Sequence, residues 1–543
     1  MELIDQRSKK IMEGCKERAQ SVGLSFQSES LEYMVTNRDL MELSPKNMIP
    51  TLYDYWVHDV EVLKEKGKYE LYPTNPYETV INTRPAISFY NDNNPDWLNV
   101  MIFYHVLAHI DFFQNNLFFR HTWDDDFTGQ ALSDKRTIAL LRNENGRWAD
   151  YVIEFARGID NLVGYYSTLT RADRSPDTLH TRKLDYYFDV FLQSVKSIKI
   201  SEYIREIEIY NTACRTYGTS GDQIFFSDVN KRYPEFEAFY NKSLQASSSS
   251  RLDVIQYVME HSTFLNRDEN RWMKLIVQIV RNTSLFFQPQ IRTKIMNEGW
   301  ASYWHEKLFL QDDRINSHEV DFAIVNSKVT SLPRVGLNPY ALGMRLFAHI
   351  EEMADKGRFS DDYRRLLNAD QRDVYDAKTG KGLKTIFQVR TTLNDFSFIN
   401  TFVDQDFVSR NNLFVAGKRL DEQRMVWEYY IKSKNAEDYR NMLIDALYHP
   451  PCIEIQSEKQ VRNMLVLNHR FEGKPLVAEF IPNTLIGIEY LWGGPVQLET
   501  SEVVSIQQAG LPADSTTETG KPDIQWQRVV YTMENRKISK KTL

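Results

Sequence analysis

The alternation of apolar and polar positions divides the chain into helical stretches, an irregular stretch and a short-strand stretch. Helical spacing covers Met1 to Ser21, a segment from Ser30, and Pro50 to Lys64, where Leu52, Tyr55, Trp56, Val60 and Leu63 share one face. Tyr72 to Pro95 is rich in Pro and Asn around Ala86-Ile87-Ser88-Phe89-Tyr90, which predicts a loop with at most one strand. Asn94-Pro95-Asp96 reads as a helix start. The run from Trp97 to about Phe119 that follows is strongly apolar, and a second long helical pattern covers roughly Thr137 to Thr168. Residues 169–265 are more polar and include Ser175-Pro176 and the Ser247–Ser250 tract, predicting a helical insertion with mobile loops. Helical periodicity returns from Asp268 to Leu310, with a break expected at Pro289, and again from Pro339 to Met353.

Beyond Gly380 the texture changes. A helix over Asp438–Tyr448 precedes three short strand-like runs: Cys452–Ile455, Met464–Leu467 and Leu476–Phe480. From Ser505 the chain is polar, with Pro, Thr, Asp and Gly close together and a basic end, which predicts a disordered tail. The expected architecture is a mainly α-helical core over 1–380, with the insertion at about 169–265, then a small α+β domain over 381–500 and a tail over 501–543.

Composition narrows the class. With 42% hydrophobic and 26% charged residues the chain can bury a core, and its 543 residues suggest about three domains. A net charge of −8 argues against nucleic acid and anionic membrane as partners. Cys15, Cys214 and Cys452 are odd in number and show no CxxC spacing, which fits a reducing compartment, and neither a signal peptide nor an apolar run of membrane length is visible. The expected location is the cytoplasm. GxxxxGK[ST] and GxSxG motifs are absent, which disfavours nucleotide hydrolysis and serine-hydrolase chemistry. Asp124-Asp125-Asp126 reads as a solvated acidic loop, since no EF-hand spacing follows it.

The candidate chemistry lies in two helical segments. His105 and His109 are four residues apart, within about 40° on one helix face, so they can share one ion or form a hydrogen-bonded core pair. In HExxH zinc peptidases the residue after the first histidine is the Glu base; here it is Val106. In the second segment, Asn297 to Glu306, the residues Glu298, Ser302 and His305 share a face. Asn297-Glu298-Gly299-Trp300-Ala301 resembles the segment of gluzincin aminopeptidases that supplies a third zinc ligand. That resemblance implies a zincin-like core around the HxxxH helix, with Glu298 completing a site with His105 and His109. Two imidazoles and a carboxylate suit Zn²⁺, and equally Fe²⁺ or Mn²⁺ when a fourth ligand such as His305 or a further carboxylate joins. Asp111, Glu306 and Glu154 are the carboxylates available as catalytic base, with Asp111 alternatively orienting an imidazole. Asn115 and Asn116 could bind substrate amides or cap the helix end. Asn338 reads as an N-cap with Pro339 in the first turn.

Four separated motifs carry a wider resemblance: His109 to Asn116, Thr293 to Ala301, Asn338-Pro339-Tyr340-Ala341-Leu342-Gly343, and Asn394-Asp395-Phe396-Ser397-Phe398-Ile399. Together with a downstream segment ending Trp492-Gly493-Gly494-Pro495-Val496, they resemble the stage V sporulation protein R (SpoVR) family over about residues 25 to 500. The resemblance implies a bacterial protein linked to spore cortex formation in spore formers and to stress physiology elsewhere. It also implies a PrkA-type kinase and a von Willebrand A-like protein as partners. Two functional expectations follow: a metal-dependent hydrolase of amide or peptide bonds, or a non-catalytic interaction protein working with that kinase and its partner.

Overall fold

The computed structural model describes residues 2–27, 29–36, 39, 78–122, 127–163, 182–196, eight positions between 205 and 217, 221–241, 252–366, 368–421, 426–448, 450–456, 463–471, 475–505 and 524–543. The helix expected over Pro50–Lys64, the Asp124–Asp126 loop and the Ser247–Ser250 tract lie outside the described residues. The chain forms two compact units. The first joins 1–163 to 265–450, and the second joins 164–264 to 451–543.

In the first unit β1 (Glu2–Leu3), α1 (Gln6–Ser21), β2 (Ser30–Val35), β3 (Glu78–Ile81) and β4 (Ala86–Asn91) precede the central helix α2 (Asp96–Asn115). The strands form one sheet in the order β1-β2-β4-β3, with β2 parallel to β4 and β3 antiparallel to it. Two expectations change here: the segment from Ser30 is a strand, and the irregular stretch before Pro95 contains two strands. Ser30 to Val35 and Ala86 to Asn91 are short runs rich in Val, Ile, Phe and Tyr, too short for helical periodicity to be diagnostic. Every residue of α2 from Leu98 to Phe113 is buried, as expected of a helix that is apolar all round.

α3 (Phe127–Asn145) and α4 (Arg147–Arg157) replace the single helix expected over Thr137–Thr168, because Gly146 between them takes φ +59°. α5 (Arg271–Arg292) runs through Pro289, and the break falls at Thr293, one turn later. α6 (Lys294–Phe309), α7 (Glu319–Thr330), α8 (Pro339–Asp355), α9 (Gly382–Thr392) and α10 (Asp395–Phe402) complete the frame, and α6 packs on both α2 and α8.

Two of the sequence motifs owe their form to packing here. A Cβ on Gly299 of α6 would lie 2.3 Å from the Cα of Gly343, and one on Gly343 of α8 would lie 2.1 Å from the Ile295 carbonyl oxygen. The two backbones cross in direct contact. Asp395, buried at the start of α10, accepts the backbone N–H groups of Ile295 and Met296 at 2.8 and 2.9 Å and so caps α6 from outside that helix. Asn338 caps α8 as expected, accepting from the N–H groups of Tyr340 and Ala341. The first unit also holds a two-stranded ribbon, Val415–Asp421 paired with Val426–Ser433.

The second unit is built from both ends of its discontinuous chain. Helical segments at 182–195, Gly221–Arg232 and Val254–His261 come from the first piece, with an aromatic core that includes Tyr187, Phe191, Phe225 and Phe236. The second piece is a five-stranded sheet in the order Lys537–Thr542, Ile524–Glu534, Val496–Ser505, Leu465–Arg470, Cys452–Ile455. The two outermost strands on one side occupy the stretch expected to be a disordered tail. Val529, Val530, Tyr531 and Met533 are buried there, in a run that the polar residues before it obscured. Leu476–Phe480 is not a strand: Val477 and Phe480 are exposed, and the helix Ile481–Trp492 follows. The parallel pairing of Leu465–Arg470 with Val496–Ser505 requires such a crossover. The expected border at 380/381 is also displaced, because 381–450 belongs to the helical unit and 451–543 pairs with 164–264.

Candidate metal centre

The HxxxH spacing does on α2 what it allows. The imidazoles of His105 and His109, 5% and 6% exposed, present their Nε2 atoms to each other at 3.1 Å. The hydrogen-bond network fixes the protons. Glu306 accepts from Asn326 Nδ2 at 2.7 Å, which turns the Asn326 Oδ1 toward His305 Nε2 at 2.9 Å. An amide oxygen only accepts, so His305 carries its proton on Nε2 and its Nδ1 must accept. The Nδ1 of His305 lies 2.9 Å from the Nδ1 of His105, which therefore donates. On the other imidazole, His109 Nδ1 donates to Asn297 Oδ1 at 2.9 Å. With the Asn297 and Asn326 amides in these orientations, both remaining Nε2 atoms carry lone pairs facing one another across 3.1 Å in a buried site; with Asn297 turned over, His109 Nε2 donates to His105 Nε2 instead.

Two lone pairs so placed can share one cation, just as a proton on one of them would make the contact a hydrogen bond. Glu298, from α6, brings Oε2 to 3.6 Å from His109 Nε2. Ligand atoms of His105, His109 and Glu298 all fall within 4.8 Å of one another, the one such grouping of His, Cys, Asp and Glu found among the described residues. Burial, with the neighbouring imidazoles, holds the His105 pKa well below the ordinary histidine value, and burial brings His305 down to about 4, so both rings are neutral near pH 7. Neutral imidazole is the form that ligates.

Other predicted residues take different places. His305 places Nδ1 against His105 and Nε2 against Asn326, at 2.9 Å each. Glu306 stands at the far end of the same chain, fixing Asn326, and is not beside the two Nε2 atoms. Asp111 is two residues past His109 and hence about 200° round the helix. Its carboxylate accepts from Trp300 Nε1 at 2.9 Å and from the Ser25 N–H at 2.7 Å, and lies 3.3 Å from Arg390 Nε; burial raises its pKa to about 6. None of these partners is an imidazole. Asn115 donates to the carbonyls of Ser25 and Asp111, and Asn116 to those of Arg390 and Leu393, so both amides hold backbone in place. Glu154 is paired at the surface with Arg157 at 3.6 Å.

Sequence reasoning missed Glu78, Asn326 and Tyr340. Glu78, first residue of β3, brings Oε1 to 4.0 Å from His105 Nε2, and burial together with the Glu298 charge raises its pKa to about 7. Tyr340, first turn of α8, stacks over His105 with ring centroids 6.2 Å apart and planes 17° apart. A cleft of about 590 Å³ opens on His105, His305 and Glu78 between apolar walls from Met101, Ile102 and Leu337. Only Tyr340 had a signal, lying inside a quoted motif.

The geometry gives these motifs their structural sense, and the comparison with known families assigns them: a family described as "SpoVR like protein" matches residues 4–449. The chain belongs to the SpoVR family. The SpoVR match ends where the helical unit ends, at 449 against 450, and so contains the whole His105 centre. Among curated proteins, one from Escherichia coli (strain K12), described as "Uncharacterized protein YcgB", is 23% identical over 496 residues, covering 86% of each chain. No solved structure matches.

Proposed function

We propose that this SpoVR-family chain is a metal-dependent hydrolase of amide or peptide bonds, with His105, His109 and Glu298 holding a divalent ion, Zn²⁺ or alternatively Fe²⁺ or Mn²⁺. The observation that carries the reading is the pair of convergent Nε2 lone pairs 3.1 Å apart, with a carboxylate beside them, in a buried site next to a cleft. Two imidazoles and one carboxylate are a donor set that suits such an ion and leaves room for a further ligand. When bound, the ion would act as a Lewis acid toward a carbonyl oxygen or water. The chain's own part is to orient the donors through Asn326 and Asn297, beside a cleft with apolar Met101, Ile102 and Leu337 in its wall. The cleft wall suits a substrate with an apolar group beside the bond that is cut. The reading extends the family resemblance to a role in sporulation, through spore cortex formation, or in stress physiology, and to the cytoplasm; among the described residues no helix is long and apolar enough to cross a membrane.

Elemental analysis of the purified chain, prepared without chelator, should find about one equivalent of metal, lost in a His105→Ala/His109→Ala variant. Metal-loaded protein should then cleave members of a peptide library and lose that activity on chelation. Absence of metal from both chains would remove the centre.

A second reading rests on a different observation. The ribbon Val415–Ser433 exposes Trp427, Tyr429, Tyr430 and Ile431, each at 45% or more, and Val106 stands where the motif's base would be. A non-catalytic protein that docks a PrkA-type kinase or a von Willebrand A-like partner through this ribbon would lose binding on Trp427→Ala/Tyr429→Ala with its metal intact.

A further inference from the structure

The two faces of the ribbon Val415–Ser433 differ in character. On one, Tyr430 lies across Gly417, where a Cβ would sit 2.5 Å from the tyrosine ring, and Arg419 pairs with Glu428 at 3.1 Å. The Arg419 guanidinium also lies 5.9 Å from the centre of the Tyr430 ring, so this face satisfies itself. The other face sets Leu420 opposite Trp427, Lys418 opposite Tyr429 and Ala416 opposite Ile431, with no carboxylate among them. Its Leu420, Trp427, Tyr429 and Ile431 are 43%, 57%, 61% and 53% exposed. Among the described residues the second strand pairs with no strand but the first, which leaves its outer edge open to a further strand. That edge is regular over Val426–Ile431: it has no proline, and the ribbon's one irregularity, between Val415 and Ala416, falls beyond Ile431. A ribbon of two strands is marginal in water, and added strands that cover an apolar face stabilise it.

We propose that this edge pairs antiparallel with the same edge of a second copy of the chain, making a four-stranded sheet about a two-fold axis at Tyr429. The strand's own pattern selects this occupant. In such a pair, residues equally far from Tyr429 stand opposite each other. Trp427 then meets Ile431 of the other copy twice and Tyr429 meets its counterpart, all on the apolar face, as aromatic and branched cross-strand pairs. The charges agree with this register. Glu428 of each copy comes diagonally next to Lys432 of the other, a pairing that one chain cannot make alone, since four residues along a strand span about 13 Å. An unrelated partner would have no use for a pattern symmetric about one residue. The inference involves no part of the metal centre and stands or falls separately from it.

Sedimentation equilibrium of the full-length chain at micromolar concentration should show a dimer. Tyr429→Lys sets two like charges face to face at the axis and should weaken the dimer by about 10-fold or more. Its far-ultraviolet circular dichroism should be unchanged, because Tyr429 is exposed in the single chain. Glu428→Lys and Lys432→Glu should each weaken the dimer, and the chain carrying both changes should recover most of the loss, which contacts within one chain could not bring about. In a separate measurement that needs no charge change, Tyr429→Cys should form a disulfide-linked dimer on mild oxidation with copper phenanthroline. Leu420→Cys, on the same face but away from the axis, should stay unlinked, as should the unaltered chain. A monomeric chain would overturn the proposal and leave the apolar face to an unrelated protein. So would a dimer that Tyr429→Lys leaves intact, a charge exchange without recovery, or equal linking at 420 and 429.

Discussion

At the residue scale the proposed metal centre depends on proton placement more than on the identity of its three donors. His105 offers a lone pair at Nε2 only because its Nδ1 donates to His305, which in turn donates to Asn326, and Asn326 is turned by Glu306. Removing the middle of this relay leaves the ligands in place and frees the imidazoles to exchange tautomers. Asn326→Ala should therefore weaken metal binding by about 10–100-fold with little change in fold, read by chelator competition beside far-ultraviolet circular dichroism. Equal affinity would show that the relay does not set the tautomer. His105 and His109 were legible from their spacing, and Glu298 from the Asn-Glu-Gly string. Asn326 and Glu78 were not, because an asparagine on one helix and a glutamate at a strand start look like any polar surface residue until packing brings them to the imidazoles.

At the scale of elements the site is placed by a crossing of two helices. α6 carries Glu298 and His305, α8 carries Tyr340, and they touch at Gly299 and Gly343 with no side chain between them. Adding one methyl group there must push backbone against backbone. Gly343→Ala should lower stability by about 3 kcal/mol or more, seen as a lower thermal midpoint, and should weaken metal binding because α6 moves relative to α2. A midpoint within error of the unaltered chain would mean that the helices separate freely. Helix identities were largely legible, since α2, α6 and α8 carry sustained apolar patterns. The end points were not: Gly146 divides one expected helix, while Pro289 fails to end another because the chain has only one more turn to run before Thr293. Short strands escaped for a different reason. Val35 and Phe89 form a small buried cluster in the first sheet, and a run of six residues gives too few positions to tell period two from period 3.6.

At the scale of the whole molecule, the family match and the helical unit end together, while the second unit draws on two distant stretches of chain. Ser262 donates to the carbonyls of Leu491 and Trp492, Tyr257 stacks on Trp492 at 6.0 Å, and Gly493, at φ +76°, lies against Phe264. A chain shortened to residue 450 loses these contacts to 164–264. Limited proteolysis should then cut within 164–264 while 1–163 and 265–450, which together carry the proposed ligands His105, His109 and Glu298, resist. Equal resistance of the two would show that 164–264 packs without the C-terminal sheet. By itself the sequence determined the family, the helical class, the caps at Asn338 and the one-face placement of His105 and His109, because each follows from spacing along a single segment. Tertiary structure alone decided that Glu78 stands beside His105, that Asp395 caps α6 from a hundred residues away, that His305 lies between His105 and Asn326, and that the polar tail closes a sheet. Those depend on which distant surfaces share a core, and the periodicity of one segment shows which face is buried without showing what lies against it.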